Sequence, residues 1–260
     1  MQIKFVKYQG TGNDFILIDD RARLFEESKA LIARLCDRHF GVGADGVLLL
    51  RNSEGYDFEM TYFNADGSPA TFCGNGGRCI VAFANSLGII EDVCHFKAPD
   101  GIHAATIVSQ MKNEFIVKLQ MLDAIIYENV PDHTYLNSGT YHYIKFVEDP
   151  DSIDVIQQAR KIRHDPRFAP HGTNVDYVKI NGNELFVRTY EKGVEQETLS
   201  CGTGVTASAI AASLRTGGNN WIVHSLGGIL EVNFDRDSDT FTQIYLRGPA
   251  TRVFEGFLSI

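Results

Sequence analysis

The feature that most constrains this chain is a motif that occurs twice, a cysteine followed by Gly-x-Gly and then by a run of apolar and small residues. Cys73-Gly74-Asn75-Gly76 precedes the first run, at 77–87, and Cys201-Gly202-Thr203-Gly204 precedes the second, at 205–214. Neither run has a polar stripe, which is typical of enclosed helices, and a glycine follows each, as is usual just beyond a helix C-terminus. The sequence therefore predicts two buried helices, each with a cysteine at its N-terminus.

The motif also indicates chemistry. Its glycines let the backbone approach a ligand closely, and the first N–H groups of a helix have no partner within the helix, so they attract anions. The same environment lowers the pKa of a cysteine from about 8.5 to roughly 3.5–7.5. A single cysteine in this position is usually structural, because cysteine is among the most buried residue types. Two in matching positions favour a pair of activated thiols, Cys73 and Cys201, each beside an anion site.

Composition places the chain among globular proteins that bind small ligands. Its 260 residues are enough for two domains, and a net charge of -9 argues against nucleic acid as a partner. The first residues, Met1-Gln2-Ile3-Lys4-Phe5, do not resemble a signal peptide, and no apolar run is long enough to cross a membrane. Five cysteines without disulfide spacing fit a reducing compartment. We therefore expect a cytoplasmic protein that has a small-molecule substrate and no membrane partner.

Strands surround both motifs. Apolar runs predict strands at 3–8, 15–19, 47–50 and 58–63 before the first cysteine, and at 93–96, 103–108 and 115–119 after its helix. In the second half, strands are predicted at 175–180, 184–190, 221–224, 229–234 and 241–246, with Asn181-Gly182-Asn183 as a hairpin turn. Surface helices are predicted at 28–38 and 151–163. Because the same order of elements recurs, we predict an internal duplication into two similar α/β halves, whose cysteines would face a common cleft.

Two thiols on opposite sides of one small substrate could exchange a proton with it. One would remove the α-proton and the other would deliver a proton to the opposite face, which inverts a stereocentre. The helix N-termini could bind an α-carboxylate and the negative charge that develops there. The sequence carries no evident pyridoxal-phosphate signature. The residues therefore predict racemisation or epimerisation without a cofactor or a metal.

Several blocks of the sequence resemble the signature blocks of the diaminopimelate epimerase family. They follow the family order over nearly the whole chain: Gly10-Thr11-Gly12-Asn13-Asp14-Phe15, Asn64-Ala65-Asp66-Gly67-Ser68, Cys73-Gly74-Asn75-Gly76-Gly77-Arg78-Cys79, Gly172-Thr173-Asn174-Val175-Asp176, and Tyr190-Glu191-Lys192-Gly193 with Cys201-Gly202-Thr203-Gly204. The resemblance implies a PLP-independent enzyme that interconverts LL- and meso-2,6-diaminopimelate in lysine and peptidoglycan precursor biosynthesis. It also implies an α+β fold of two pseudo-symmetric domains, each a barrel-like, mostly antiparallel sheet wrapped around a central buried helix, and a homodimer.

The same resemblance assigns roles to residues. It implies Cys73 and Cys201 as the catalytic pair, the first carried by a domain at 1–115 plus 249–260 and the second by a domain at 116–248. His142 and Glu191 would tune the thiols. The residues expected to bind the substrate are Asn13, Asn64, Gly74, Asn75, Asn174, Glu191, Lys192, Gly202 and Thr203. Adjacent opposite charges at 191 and 192 suit a zwitterionic substrate end, because a buried unpaired charge is costly.

The chain departs from the family pattern at two places. Lys192 stands where the family usually has Arg, which keeps the charge but removes a bidentate fork. Thr140-Tyr141 precede His142, where the family usually has Asn or Ser followed by Pro. Recognition of the distal end of the substrate is therefore the least constrained part of the prediction.

Three alternatives remain open on the sequence. A proline-racemase-like or other cofactor-independent amino-acid racemase would keep the mechanism and change the substrate. A thiol redox or metal-binding protein could use Cys73 and Cys79, although their spacing does not match the usual zinc sites. A binding module without catalysis is the third. The remaining cysteines, Cys36, Cys79 and Cys94, lack a glycine-flanked anion site and are expected to be core thiols.

Overall fold

The computed structural model describes residues 2–259, and these form two compact units. The first unit contains the described residues up to Leu119 together with those from Gly248 onward, and the second contains Gln120–Arg247. Sixteen strands and four α-helices make up the regular structure of the described part. The long last strand, β16 (Thr240–Ser259), contributes residues to both units. Each unit contains one of the two cysteine motifs.

The first unit is a closed barrel. Its strands are β1 (Gln2–Gly10), β2 (Asn13–Asp19), β3 (Gly46–Arg51), β4 (Phe58–Asn64), β5 (Val93–Ala98), β6 (Gly101–Met111), β7 (Glu114–Gln120) and the end of β16. Each strand pairs with the next, and β16 pairs with both β7 and β1, so that the ring closes. The pairs are antiparallel except for β2–β3 and β4–β5, which are parallel.

The barrel encloses helix α2 (Gly74–Ser86), which begins directly after Cys73. The helix starts three residues earlier than predicted, because Cys73 has an extended backbone (φ -137°, ψ 120°) and the glycine-rich segment after it is already helical. The side of the helix that lacks bulky residues lies against the strands: a Cβ added at Gly76 would meet Leu48 and Phe15. The helix ends before Gly88, whose φ is +70°.

The other face of the same strands packs against helix α1 (Lys29–Cys36). Ile16, Ile18 and Val47 join Ile32 and Leu35 of this helix in one buried cluster. Alternate residues of β2 and β3 therefore face the two helices, which is why both strands are apolar throughout. Ser28 caps α1, its side chain accepting from Leu31 N.

The second unit repeats this architecture. Its strands are β8 (Ile125–Asn129), β9 (His133–Asn137), β10 (Tyr141–Phe146), β11 (Asn174–Asn181), β12 (Glu184–Glu191), β13 (Gln196–Thr198), β14 (Asn220–Ser225), β15 (Gly228–Asp237) and the start of β16. They surround helix α4 (Gly202–Thr216), which contacts β9, β10, β11, β12, β14 and β15 and is buried from Gly202 to Ser213. Helix α3 (Val155–Arg163) packs on the other face, with Ala159 against Tyr177 and Tyr190.

The order and direction of the strands confirm the predicted duplication. In the first unit, β2–β3 and β4–β5 are the parallel pairs, and in the second, β10–β11 and β12–β14 take the corresponding places. In each unit, one helix connects the two strands of the first parallel pair: α1 lies between β2 and β3, and α3 between β10 and β11. The central helix connects the strands of the second pair: α2 lies between β4 and β5, and α4 between β12 and β14. The α+β class and the two similar halves predicted from the sequence are therefore present.

Several further element predictions needed correction. Strand β13 was not predicted, and β16 was predicted only at 241–246. Helix α4 begins at Gly202, not at residue 205, for the same reason as α2. Helix α3 begins at Val155, not at residue 151, because the Asp154 side chain caps it by accepting from Gln157 N, and a separate 3-10 turn occupies Pro150–Ser152. Strands β8, β9 and β10 were not predicted at all, although β10 carries His142.

Candidate active site

Both predicted cysteines are N-cap residues of central helices. Cys73 precedes α2 and Cys201 precedes α4, and each has an extended backbone that leads the chain into its helix. The N-terminus of a helix carries a partial positive charge and N–H groups without intrahelical acceptors. The predicted position of each cysteine at the N-terminus of a central helix is therefore confirmed within each unit.

In the first unit, Cys73 contacts the side chain of Asn13. The Cys73 Sγ lies 3.4 Å from Asn13 Oδ1, which also accepts a hydrogen bond from Asn75 Nδ2 at 3.3 Å. Asn13 Nδ2 donates to Asp45 Oδ2 at 2.7 Å. A carboxylate can only accept, so Asp45 fixes which way the amide of Asn13 points. Two residues predicted to bind substrate, Asn13 and Asn75, thus meet at the first thiol.

A wholly buried arginine, Arg78, supports this arrangement and was not among the predicted site residues. Its Nη2 donates to Asn75 Oδ1 at 3.0 Å and to Thr11 Oγ1 at 3.4 Å. Its Nη1 donates to Gly74 O at 3.3 Å, and its Nε to Pro249 O at 3.2 Å. Burial lowers the pKa of Arg78 to about 10, because these neutral oxygens do not offset the desolvated charge. A cation inside an otherwise apolar helix is the sequence signal that could have identified it.

In the second unit, Cys201 begins a chain of buried polar side chains. The Cys201 Sγ lies 3.4 Å from Thr203 Oγ1, and Thr203 Oγ1 lies 3.0 Å from His142 Nε2. His142 Nδ1 lies 2.7 Å from Asp176 Oδ2. The second Asp176 oxygen, Oδ1, accepts from the Thr189 hydroxyl at 2.7 Å. The predicted thiol-tuning residue His142 therefore reaches the thiol through a hydroxyl, and Asp176 is a member of the site that the sequence did not reveal.

The strand register explains why these residues meet. Strands β10 and β11 are parallel, with His142 directly opposite Asn174. Asp176 lies two residues further along β11, so its side chain is on the same face of the sheet. Asp176 and Thr189 are directly opposite each other on β11 and β12. That face is covered by the N-terminus of α4, which brings Thr203 onto the imidazole.

The pKa of the Cys201 thiol is raised well above its usual value, contrary to the expectation of an activated thiol. Burial is the main cause, followed by the negative charges of Glu191 and Asp176. The hydrogen bond with Thr203 and the one from the Gly204 backbone N–H act in the opposite direction and do not outweigh them. Position at a helix N-terminus is thus insufficient to activate a thiol that is fully enclosed and faces carboxylates.

Two further predicted residues, Asn174 and Lys192, lie beside this chain of side chains. Asn174 Oδ1 accepts from Lys192 N at 2.8 Å, while its Nδ2 donates to Tyr141 O at 3.0 Å and lies 3.3 Å from His142 Nε2. The Lys192 ammonium donates to His171 O at 3.0 Å. Burial and the nearby positive charge of Arg163 lower the pKa of Lys192. Asn174 therefore holds the start of the segment after β12 against β10.

The remaining predicted residues lie at strand ends or in helix first turns. Asn64, at the end of β4, donates to Ser68 Oγ at 3.1 Å and closes the turn that precedes Cys73. Glu191 ends β12, where its charge acts on Cys201. Gly74 and Gly202 are the first residues of α2 and α4. Whether these groups bind a substrate stays a prediction.

The other three cysteines are core residues, as predicted. Cys36, Cys79 and Cys94 are buried, and all five cysteines of the chain are free thiols. Burial raises the pKa of Cys36 and of Cys94 to about 12 and raises that of Cys79 further. They are therefore protonated at neutral pH and packed as small apolar side chains.

Two solved structures share the fold of this chain. A phenazine biosynthesis protein of the PhzF family from Bacillus anthracis superposes with a TM-score of 0.78 and 16% identity, over 100% of both chains. A hydroxyproline epimerase from Agrobacterium vitis superposes with a TM-score of 0.75 and 12% identity, over 100% of this chain and 93% of that one. At such identities the likeness concerns the fold. The chain therefore shares the fold of these two proteins, with a cysteine at the N-terminus of each of its central helices.

The sequence comparisons identify the family of this chain. The sequence profile of the family described as diaminopimelate epimerase matches residues 5–125 and 134–253. The diaminopimelate epimerase of Flavobacterium psychrophilum is 46% identical, covering 97% of this chain and 99% of that protein, and that of Chlorobaculum tepidum is 39% identical, covering 96% and 99%. The chain belongs to the diaminopimelate epimerase family. No helix in the described part, residues 2–259, has the length and apolar character needed to span a membrane.

Proposed function

We propose that this chain is an isomerase that interconverts LL- and meso-2,6-diaminopimelate without pyridoxal phosphate or another cofactor. The observation that carries the proposal is the pair of N-cap cysteines, Cys73 and Cys201, at two enclosed helices of a chain that belongs to the diaminopimelate epimerase family. Relatives that bear this name match over nearly their full length. Racemases that use no cofactor need two acid–base groups of tunable pKa, and thiols meet this condition.

The proposed mechanism assigns opposite tasks to the two thiols. One thiolate removes the α-proton from one face of the substrate carbon, and the other thiol donates its proton to the opposite face. The backbone N–H groups of Gly74 and Asn75 in one unit, and of Gly202 and Thr203 in the other, would bind the α-carboxylate and stabilise the charge that develops as the proton leaves. Support comes from the position of these amides in the first turns of α2 and α4.

Recognition of the second amino-acid end of the substrate is assigned to side chains with complementary charge and polarity. Glu191 would bind the distal ammonium and Lys192 the distal carboxylate, with the amides of Asn13, Asn64 and Asn174 supplying neutral partners. Glu191 and Lys192 are adjacent and only partly exposed, so each charge gains from a partner that water does not screen fully. His142 and Glu191 would set the proton affinity of Cys201.

The biological setting follows the family. We propose that the chain acts in the cytoplasm, in the biosynthesis of lysine and peptidoglycan precursors, as a homodimer without nucleic-acid or membrane partners. The dimer is supported by large apolar side chains on β16 that remain exposed in the single chain, Val253, Phe254 and Phe257. Exposed apolar residues that lie close together on one strand commonly mark an interface between proteins.

One alternative function has an observation in its favour. The hydroxyproline epimerase shares the fold, so a cofactor-independent racemase acting on a substrate with a single carboxylate would use the same two thiols. The charged pair Glu191 and Lys192 favours diaminopimelate, because a substrate with a single carboxylate has no charged distal end for this pair to bind. A thiol redox or metal-binding role has less support: among residues 2–259 no three His, Cys, Asp or Glu side chains are grouped as metal ligands.

Proton NMR in deuterated water tests the proposal directly. Reduced protein is incubated with LL-diaminopimelate in one tube and with L-proline in another, and the α-proton signals are followed. We expect the signal to be lost with diaminopimelate only, together with the appearance of the meso isomer. Exchange with proline only would keep the two-thiol mechanism and identify the chain as a racemase for a substrate with one carboxylate. No exchange in either tube, from protein whose free thiols titrate, would reject an epimerase function.

A further inference from the structure

The buried side chains next to Cys201 fix the direction of the hydrogen bonds that reach its sulfur. His142, Asp176 and Thr189 lie between the sheet and α4, and the first two are fully excluded from solvent. Each hydrogen bond in such a chain has one donor and one acceptor. The direction at one end therefore decides the direction at the other.

Asp176 determines where His142 carries its proton. One Asp176 oxygen accepts from the Thr189 hydroxyl, and the other lies 2.7 Å from His142 Nδ1. A carboxylate has no proton to donate, so His142 Nδ1 must be the donor. The imidazole is therefore protonated on Nδ1.

Asn174 determines the state of the other imidazole nitrogen. Its amide cannot be reversed, because Oδ1 accepts from Lys192 N and Nδ2 donates to Tyr141 O. The same Nδ2 lies 3.3 Å from His142 Nε2. A proton on Nε2 would point at an amide N–H, whereas a lone pair on Nε2 can accept from it. The arrangement in which the Asn174 contact is a hydrogen bond therefore has the His142 proton on Nδ1 and a bare Nε2.

The Thr203 hydroxyl is the nearer donor to the bare Nε2. It lies 3.0 Å from His142 Nε2, closer than the Asn174 amide at 3.3 Å, and when its proton points there its oxygen presents lone pairs to the Cys201 sulfur, 3.4 Å away. We propose that Asp176, His142 and Thr203 are positioning residues that hold Cys201 as a protonated thiol, so that Cys201 is the acid of the resting enzyme. The inference rests on the proposed epimerase function, for which it settles the starting state of one of the two thiols.

The charges around Cys201 support the same state. The ionisable groups whose charges act on it are Asp176 on β11 and Glu191 at the end of β12, and both are negative. Helix α4 carries one charged side chain, Arg215, in its last turn. Nearby carboxylates disfavour a thiolate, in agreement with the raised pKa of Cys201.

The tautomer of His142 is the most direct test and needs no change in the protein near Cys201. The full chain is labelled with 15N in its eight histidines, and the signals of His142 are identified as those missing from the His142→Gln spectrum. We expect a protonated Nδ1 and an unprotonated Nε2 at neutral pH. A proton on Nε2, whether alone or together with Nδ1, would overturn the proposal, because Thr203 could then donate to a Cys201 thiolate.

Thiol reactivity in Asp176→Asn is the second test, and its sign separates the two possible states. Iodoacetamide labelling of the full chain, followed by peptide mapping, gives separate rates for Cys201 and Cys73. We expect the Cys201 rate to rise at least about tenfold at neutral pH, as a pKa lower by about one unit produces, with the Cys73 rate unchanged. If Asp176 instead stabilised an imidazolium–thiolate pair, the Cys201 rate would fall, and a fall or no change rejects the proposal.

Controls separate this inference from the proposed function. Glu231→Gln removes an exposed carboxylate of the same unit, which pairs with Arg247, and should leave the Cys201 labelling rate unchanged. The exchange assay with diaminopimelate is run on the same unmodified protein. Absence of exchange combined with the expected tautomer would reject the epimerase function while leaving the hydrogen-bond direction intact. Exchange combined with a protonated His142 Nε2 would support the epimerase function and reject the proposed hydrogen-bond direction.

Discussion

Gly76 and Gly204 occupy the same position in the two cysteine motifs. We predict that Gly204→Ala strongly lowers the free energy of unfolding, whereas Gly76→Ala changes it little. A Cβ at residue 204 would lie 2.6 Å from Asp176 Oδ1 and 3.1 Å from His142 Cε1. A Cβ at residue 76 would meet Leu48 Cδ1 at 3.4 Å and Phe15 Cζ at 3.5 Å, which are ordinary van der Waals distances. The two variants therefore form a matched pair that differs in steric surroundings.

The magnitude at Gly204 follows from what Asp176 would lose. Its carboxylate is fully buried and is held by Thr189 and His142, so it cannot move away without breaking one of these hydrogen bonds. A hydrogen bond to a charged group contributes about 1.5–3 kcal/mol, and overpacking costs about 1–3 kcal/mol. Alanine in a helix is favoured over glycine by about 0.8–1 kcal/mol. We expect Gly204→Ala to lower the free energy of unfolding by about 2–5 kcal/mol, from the sum of these ranges.

Gly76→Ala should change the free energy of unfolding by less than about 1 kcal/mol, because only the helix preference remains. Urea unfolding provides the comparison. The chain has one tryptophan, and Trp221 is buried in the second unit, so its fluorescence reports on the unit that contains Gly204, while circular dichroism reports on both units. Equal destabilisation by the two substitutions, or an unchanged fluorescence midpoint in Gly204→Ala, would refute the reasoning.

Further predictions concern activity, the buried arginine and acid stability. Cys73→Ala and Cys201→Ala should each abolish α-proton exchange, whereas Lys192→Ala should mainly raise KM; equal losses of kcat in all three would contradict the separation of roles. Arg78→Met removes the hydrogen bonds to the Asn75, Gly74 and Pro249 oxygens, each worth about 1.5–3 kcal/mol as a bond from a charged group, and this loss is partly offset by removal of a buried charge. Thermal unfolding at pH 7 should show a clear net loss of stability, and no loss would show that desolvation dominates. Burial by itself would raise the pKa of Asp14, but hydrogen bonds and ion pairs with Arg38 and Lys7 lower this pKa to about 2. The resulting stabilisation is present above the unfolded pKa near 4 and disappears as the pH falls towards 2. Asp14→Asn should therefore reduce the free energy of unfolding by about 1–2 kcal/mol at pH 6 but not at pH 2. An equal difference at both pH values would exclude this linkage.

Local sequence patterns predicted the central elements because the relevant signals are local. An apolar run with no polar stripe indicates an enclosed helix, and a glycine marks its end, so α2 and α4 were predicted with their cysteines in place. Their first turns were missed because Gly74, Asn75 and Gly76 are poor helix formers, and packing inside the barrel overrides that preference. Strand β10 was missed although its register with β11 builds the site around His142.

The residues that sequence reasoning did not find depend on pairing between distant segments. Asp176 belongs to the site because β10 and β11 are parallel with His142 opposite Asn174, a register that no spacing within either segment specifies. Arg78 belongs to it because the barrel closes around α2 and leaves the guanidinium with neutral acceptors. The raised pKa of Cys201 likewise comes from enclosure and from carboxylates on other strands, so the local motif alone predicted the wrong direction.

The two motifs share a backbone conformation but differ in the sign of the buried charge near each thiol. Arg78 lies close enough to Cys73 for their charges to interact, whereas Cys201 faces the carboxylates of Asp176 and Glu191. A nearby cation favours the thiolate and a nearby anion favours the thiol. A two-base isomerase needs one group of each kind at every step, and a duplication with identical surroundings would provide two thiols of equal pKa. For the proposed two-base mechanism, this difference in buried charge fits a base in the unit that contains Arg78 and an acid in the unit that contains Asp176.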